Sequence, residues 1–232
     1  MALYVVATPI GNLDDLSPRA AKTLEAVSVI ACEDTRRTMN LLRHLGLHKP
    51  LIRYDDHVHG RALPEILSRL KAGEDVALVT DAGTPGVSDP GSRLVKAVLE
   101  AGVAVVPVPG ASAALTALAG SGFPTDGFTF LGFLSRRSIR IRRELESAGR
   151  ERAIIFFESV FRLRDTLEEA KAVFGDIPCA VGRELTKIHE EFIRGTIPEV
   201  IAVLAARKEL LGEATVVLAP HFKDWELKPE ND

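Results

Sequence analysis

Residues 76–91 read VALVTDAGTPGVSDPG. The apolar run Val76-Ala77-Leu78-Val79 breaks directly into a stretch with glycines at 83, 86 and 91 and prolines at 85 and 90. Glycine loses backbone entropy in either regular structure and proline lacks the amide donor, so neither strand nor helix continues through it. The reading is a buried strand that ends in a shaped loop. Asp89-Pro90-Gly91 reads as a helix start, with Asp89 as N-cap and Pro90 in the first helical position, which leaves free amides facing a ligand.

The same strand signature recurs on either side. Runs rich in Val and Ile at 3–7, 27–32 and 103–108 have the look of strands buried on both faces. Helical patterns lie between them: one capped by Ser17-Pro18 and running to Ala26, then 35–45, 61–71 and 91–100. Strand alternating with helix predicts an α/β fold with a mainly parallel sheet. After FPTDG at 123–127 the pattern changes to strands at 128–131, 153–157, 178–183, 188–194 and 214–219. Helices are expected in an Arg-rich segment after Leu134 and at 161–174 and 198–206. Two α/β domains are therefore expected: residues 1–112 with a mainly parallel sheet and residues 113–222 with a mixed one, followed by a polar tail at 223–232. A ligand cleft between the halves follows from that division.

Composition narrows the class. The 232 residues are 46% hydrophobic and 26% charged with a net charge of -3, which excludes a disordered chain and a wholly basic nucleic-acid binder while leaving room for a local basic patch. Cys32 and Cys179 are the only cysteines, too few for a disulfide framework or a Cys-based zinc site, and a reducing cytoplasm fits them best. The start, MALYVVATPIGN, has no basic n-region, and no segment is long enough for a membrane span, so a cytoplasmic protein with no membrane partner is expected.

Three turn-rich stretches sit where strands should end: Thr8 to Asn12, Thr80 to Gly91 and Pro107 to Ala113. In an open α/β sheet such ends face one crevice, so all three could converge on one ligand, with Asp81, Thr84 and Ser112 as polar contacts. Ordinary βα loops punctuated by Gly and Pro are the alternative. No G-x-G-x-x-G and no P-loop occurs, so a Rossmann dinucleotide fold and a P-loop nucleotidase are poorly supported.

The residues carry more than a pattern. LYVVATPIGNLDDLSPRA at 3–20, CEDTRRT at 32–38, VTDAGTPGVSDPG at 79–91, VPGASAALTALAGSGFP at 108–124 and FFES at 156–159 together resemble the ribosomal RNA small subunit methyltransferase I family of the tetrapyrrole methylase superfamily. That resemblance implies two α/β domains with S-adenosylmethionine in the inter-domain cleft, usually in a homodimer. It implies transfer of methyl to the ribose 2'-oxygen of a cytidine in 16S ribosomal RNA, free or in the small ribosomal subunit. By motif, Ile10, Asp81, Thr84, Val87, Ala111 and Ser112 should border the methionine and ribose portions of the cofactor, and Phe157, Leu185 and Ala214 its adenine side. Many members continue past the last strand with a helical segment, where this chain has the stretch KDWELKPEND. Two other readings stand beside it: a methylase of tetrapyrroles or other small molecules, and a non-catalytic RNA-binding or ribosome assembly factor.

Methyl transfer to a hydroxyl is an in-line displacement in which positioning dominates and a nearby base assists. Glu33, Asp34 and Arg36 after the second strand, and Glu158 beside Phe157, are the candidate catalytic groups; their structural alternatives are a helix start whose acids answer the dipole and a capping or ion-paired carboxylate. YDDHVHG at 54–60 clusters oxygen and imidazole donors but lacks a third fixed ligand, so no metal site is assigned and His57 is expected on the RNA. Magnesium enters only as an ion associated with the RNA. Arg136, Arg137, Arg140 and Arg143, with Arg142, crowd one segment; Arg136, Arg140 and Arg143 at i, i+4, i+7 are expected to track phosphates, the alternative being a solvated helix paired with Glu144 and Glu146.

Overall fold

The apolar run at Val76–Val79 forms β4, buried at all four positions. It lies inside a five-stranded sheet with β1 (Ala2–Val6), β2 (Val29–Cys32), β3 (Leu51–Arg53) and β5 (Ala104–Val108), in the order β3-β2-β4-β1-β5. Every pairing in it is parallel. Parallel neighbours need crossovers, and the intervening helices supply them: α1 (Pro18–Ala26), α2 (Thr35–His44), α3 (His59–Lys71) and α4 (Ser92–Glu100). Alternate residues of β4 serve opposite layers. Val76 and Leu78 pack with Ile66 and Leu70 of α3 and Leu94 and Val98 of α4, while Ala77 and Val79 pack with Leu24 of α1 and Leu41 and Leu42 of α2. Truncating a fully buried side chain such as Leu78 would cost about 2–5 kcal/mol.

The computed structural model describes residues 1–55 and 59–222. The chain divides into two units, Met1–Ser112 and Ala113–Asp232. The second carries α5 (Ala113–Ser121), β6 (Phe128–Phe133), α6 (Ser138–Ala148), β7 (Ala153–Ser159), α7 (Val160–Phe174), β8 (Pro178–Arg183), β9 (Glu191–Thr196), α8 (Ile197–Ala205) and β10 (Glu213–Leu218). Its sheet has the order β6-β7-β10-β8-β9, and only β6 and β7 run parallel. Leu145, Leu163, Leu167 and Val200 from α6, α7 and α8 bury Ile154, Phe156, Val181 and Val216 of the strands. Helix α5 packs against β10 and β8. Cys32 and Cys179 are both buried free thiols. Among the described residues no helix is long and apolar enough to cross a membrane.

Two elements go unread in the sequence, and two local expectations are corrected. Strand β3, only Leu51–Arg53, is too short to show a period. Helix α5, AALTALAGS, is built almost wholly of small and apolar residues, so it lacks the polar stripe that marks a surface helix. Strand β9 begins at Glu191 rather than 188, because Ile188 sits in a turn and is 92% exposed. Helix α4 begins at Ser92 with Gly91 at the N-cap, so Asp89 does not cap it. Ser88 adopts a left-handed conformation (φ 62°) just before Asp89, which turns the chain away from a helical entry.

Candidate functional site

Because all five strands of the first sheet are parallel, their carboxyl ends share one edge, and the three glycine-rich loops leave from it. They touch one another. Thr8 and Gly83 exchange backbone hydrogen bonds of 2.9 and 3.0 Å, the Thr8 hydroxyl donates to the Thr80 carbonyl, and the Ala7 amide donates to the Val108 carbonyl. Gly83 holds φ +81°, and a methyl group there would stand 3.6 Å from Ile10 Cγ2 and 3.9 Å from the Ala111 carbonyl oxygen. Gly110 passes so near Ala7 that a Cβ on it would lie 3.0 Å from the alanine methyl. Thr84 to Val87 closes a turn through a 3.2 Å hydrogen bond, with Pro85 and the positive-φ Gly86 at its centre. Ile10, Thr84, Ala111 and Ser112 are half-buried around these contacts, and Val87 is exposed.

Carboxylates crowd the same edge. Asp81 Oδ1 accepts from the Asp34 amide at 3.1 Å, and its Oδ2 lies 3.4 Å from Arg37 Nε. Asp34 caps α2, accepting from the Arg36 amide at 2.8 Å and pairing with the Arg36 guanidinium, which holds its carboxyl down at about 2. That is the capping role, and it keeps Asp34 ionised. Glu33 behaves oppositely: burial first, then the charge of Asp81, raises its pKa. Asp89 follows the same pattern, pushed to about 6 by burial and then by Glu33 and Asp81. The buried Thr80 hydroxyl lies beside the Asp89 carboxyl and opposes that rise.

A cavity of about 130 Å³ opens between these ends and the first turns of α2, with Thr8, Pro9, Leu13, Arg37, Asn40 and Asp81 among the residues lining it. Leu13 belongs to a short 3-10 turn, Leu13–Asp15, capped by Asn12. Thr38, Leu41, Val79 and Thr80 complete the lining.

In the second unit, Phe157, Leu185 and Ala214 gather at one end of the sheet. Phe157 pairs with Thr215, the residue after Ala214, and Ala214 pairs with Arg183 two residues before Leu185. The turn holding Leu185 is tight, with both neighbours left-handed (Glu184 φ 51°, Thr186 φ 65°) and Glu184 bonded to the backbone of Glu213. Phe157 meets Phe130 and Phe133 edge to face at 5.0 and 5.4 Å. The Ala214 methyl belongs to the core cluster with side chains of α6, α7 and α8. Glu158, 3% exposed, accepts from the Ser159 amide at 2.9 Å and the Thr166 hydroxyl at 2.6 Å and lies 3.4 Å from Arg162. Those partners occupy both of its oxygens and fit the capping alternative better than a free base.

The arginine segment is not one helical ridge. Arg137 is the N-cap of α6 in extended conformation, so Arg136 and Arg137 precede the helix, and of the three expected to track phosphates only Arg140 and Arg143 lie on it. The Ser135 amide is held by Glu144 at 3.0 Å and its carbonyl by Arg162 at 2.6 Å, which fixes the entry segment outside the helix. Arg136, Arg137, Arg140 and Arg143 are all exposed, and among the described residues none has an ion-pair partner, whereas Arg142 pairs with Glu169. Phe133, at the end of β6, is 66% exposed and Phe161, in the first turn of α7, is 81% exposed. His57 lies outside the described residues. Among the described residues no group of three or more His, Cys, Asp or Glu side chains is arranged to hold a metal.

Sequence reasoning missed Asp89, read as a cap, and missed Arg37, Asn40 and Leu13 at the cavity. The segments CEDTRRT and TPIGNL contain or border these positions, but no local rule separates a cavity-lining arginine from a solvated one.

A parallel sheet with converging loops at its carboxyl edge, followed by a mixed-sheet unit, is the plan of one methylase class. The sequence profile of the tetrapyrrole (corrin/porphyrin) methylases matches residues 2–201. Solved structures with this fold include a cobalt precorrin-4 methyltransferase (TM-score 0.68, 17% identity, 94% of each chain covered). A diphthine synthase is likewise similar, with TM-score 0.70, 14% identity and 94% and 90% of the two chains covered. A Thermus thermophilus uroporphyrin-III C-methyltransferase, solved in complex with S-adenosylhomocysteine, gives TM-score 0.63 at 17% identity, covering 94% of this chain and 97% of its own.

Nearer relatives sharpen the class. The chain is 47% identical to the ribosomal RNA small subunit methyltransferase I of Synechocystis sp. across 98% of its own length and 85% of the relative's. It is also 47% identical to that of Thermotoga maritima, over 94% and 97% of the two chains. The chain belongs to the ribosomal RNA small subunit methyltransferase I family, within the tetrapyrrole methylases.

Proposed function

We propose that this protein transfers methyl from S-adenosylmethionine to the ribose 2'-oxygen of a cytidine in 16S ribosomal RNA. The observation that carries the reading is the identity of 47% over almost the whole chain to relatives named for small-subunit ribosomal RNA methylation. The first unit's edge suits the cofactor's chemistry. When bound, the cofactor supplies a cationic sulfonium with a transferable methyl, and Glu33, Asp81 and Asp89 form an acidic lobe complementary to positive charge. The close-packed backbones at Gly83 and Gly110 supply small-residue walls. Ile10, Asp81, Thr84, Val87, Ala111 and Ser112 are assigned to cofactor binding in the first unit, and Phe157, Leu185 and Ala214 in the second.

Of the catalytic candidates, Glu33 has the electrostatics a proton acceptor for the ribose hydroxyl needs, since a base works best when its pKa is lifted toward the operating pH. Asp34 and Arg36 order the start of α2, and Glu158 orders the start of α7. Arg136, Arg137, Arg140 and Arg143 take RNA phosphates, with His57 as a further contact. A homodimer, and magnesium carried by the RNA, belong to the same proposal. Labelled methyl transfer to small ribosomal subunits, naked 16S RNA and a tetrapyrrole in parallel, followed by mapping of the modified nucleotide, tests it. Label in RNA at a cytidine ribose is the expected result; label in the tetrapyrrole alone would overturn it.

A further inference from the structure

The cavity at the start of α2 shares Asp81 with the cofactor assignments, but the rest of its lining belongs to neither them nor the arginine face. Its volume, about 130 Å³, is close to the ~150 Å³ of an apolar cavity that takes up one benzene ring. A single six-membered ring fits that volume. Pro9, Leu13, Leu41 and Val79 offer apolar surface for the faces of such a ring, and Leu13 is 42% exposed, an uncovered apolar side chain at this cavity.

The polar lining is mixed. Arg37 brings a guanidinium whose Nε lies 3.4 Å from Asp81, leaving its Nη groups to donate, and Asn40 a carboxamide whose oxygen accepts from Arg43 at 2.8 Å and whose NH₂ is left to donate. Asp81, beside its contacts with the Asp34 amide and Arg37, keeps lone pairs that can accept, and Thr80 brings a buried hydroxyl close to Asp89. Pyrimidine edges carry both N–H donors and carbonyl or ring-nitrogen acceptors, and an acidic side chain accepts from the exocyclic amine of cytosine.

We propose that this cavity receives the base of the target nucleotide, a pyrimidine turned out of its stack, and so holds the attached ribose for reaction. The inference rests on the RNA methyl-transfer reading and adds a specificity site to it. An in-line displacement needs its acceptor oxygen fixed, and the base is the rigid handle by which a flexible ribose can be held. Arg37 and Asn40 act here as substrate-positioning residues.

The test compares a synthetic rRNA fragment containing the mapped target nucleotide with the same fragment made abasic or purine-substituted at that position, the 2'-hydroxyl being kept. For the unaltered protein, kcat/KM should fall roughly 10–100-fold on the abasic and purine RNAs. Arg37→Met and Asn40→Ala, both at exposed positions, should each slow transfer to intact RNA roughly 10-fold yet cause no further loss on abasic RNA, and Asn40→Ala should leave S-adenosylmethionine affinity unchanged by calorimetry. Equal rates on intact and abasic RNA, or variants that slow both equally, would overturn the pocket assignment while leaving the methyltransferase reading standing. Absence of transfer to every RNA despite cofactor binding would overturn both.

Discussion

Thr8 and Gly83, 75 residues apart in sequence, exchange both of their backbone hydrogen bonds, at 2.9 and 3.0 Å, and so lock the loop after β1 to the loop after β4. The exchange requires Gly83 at φ +81°, a conformation an L side chain reaches only at roughly 1–2 kcal/mol. The loop cluster is therefore a preformed element of the first unit rather than two independent turns.

Gly83→Ala should lower the melting temperature by a few degrees and weaken S-adenosylmethionine binding about 10-fold. Gly102→Ala is the control. Gly102 also has positive φ (+73°) with open space around its Cβ position, but it precedes β5 at the opposite end of that strand. It should show a similar stability loss with cofactor affinity intact in calorimetry.

Asp89 sets a pH dependence. Its folded-state carboxyl keeps a proton up to about pH 6, whereas an unfolded chain releases it near pH ~4. Between those values the native state binds more protons, so stability falls as pH rises through the window. Asp89→Asn should therefore be more stable than the parent above pH 6 by about 1–2 kcal/mol, with the difference gone below pH ~4. Thermal melts across pH 4–8 read this directly, and a variant uniformly destabilised at every pH would refute it.

Glu191 predicts the opposite sign in the second unit. The Arg207 guanidinium first, then Arg183, holds its carboxyl at about 2, so its stabilisation is full above the unfolded value and lost as pH falls toward 2. Arg207 Nη2 bonds Glu191 Oε2 at 2.8 Å. Glu191→Gln should cost about 1–2 kcal/mol at pH 7, discounted for partial exposure, and nothing near pH 2. Denaturant titrations at the two pH values are the measurement.

The unpaired arginines and the paired one should part company. Arg140→Glu with Arg143→Glu should weaken RNA binding and flatten the plot of log affinity against log salt by about 1–2, leaving cofactor affinity unchanged. Arg142→Met, which removes a guanidinium already bound to Glu169, should have a smaller effect on RNA and a larger one on stability. Reversal of that order would remove the phosphate role from α6.

Much of this was legible from local rules. The strand at 76–79 followed from four apolar residues before a run that can form neither strand nor helix, and the α/β class followed from its repetition. Helix α1 begins where Ser17-Pro18 places it, with the serine bonded to the Ala20 amide at 3.1 Å. Where the rules failed, a competing contact had won. Arg136 and Arg137 have helical spacing with Arg140, yet Glu144 and Arg162 hold the backbone of Ser135 and delay the helix. Asp89-Pro90 has the sequence of a cap, yet the left-handed turn at Ser88 starts α4 at Ser92 instead.

The sequence by itself determined the order of elements, the loops that must bend and the family they resemble, because periodicity, glycine and proline act over a few residues. Only the tertiary structure decided which carboxylates share a field. Glu33, Asp81 and Asp89 come from two different βα connections, and the raised pKa values of Glu33 and Asp89 depend on burial and mutual distance that no local spacing encodes. The same holds for the cavity. Thr8, Arg37, Asn40 and Asp81 face one space because three parallel strands end on one edge, a consequence of sheet order and not of any residue's immediate neighbours.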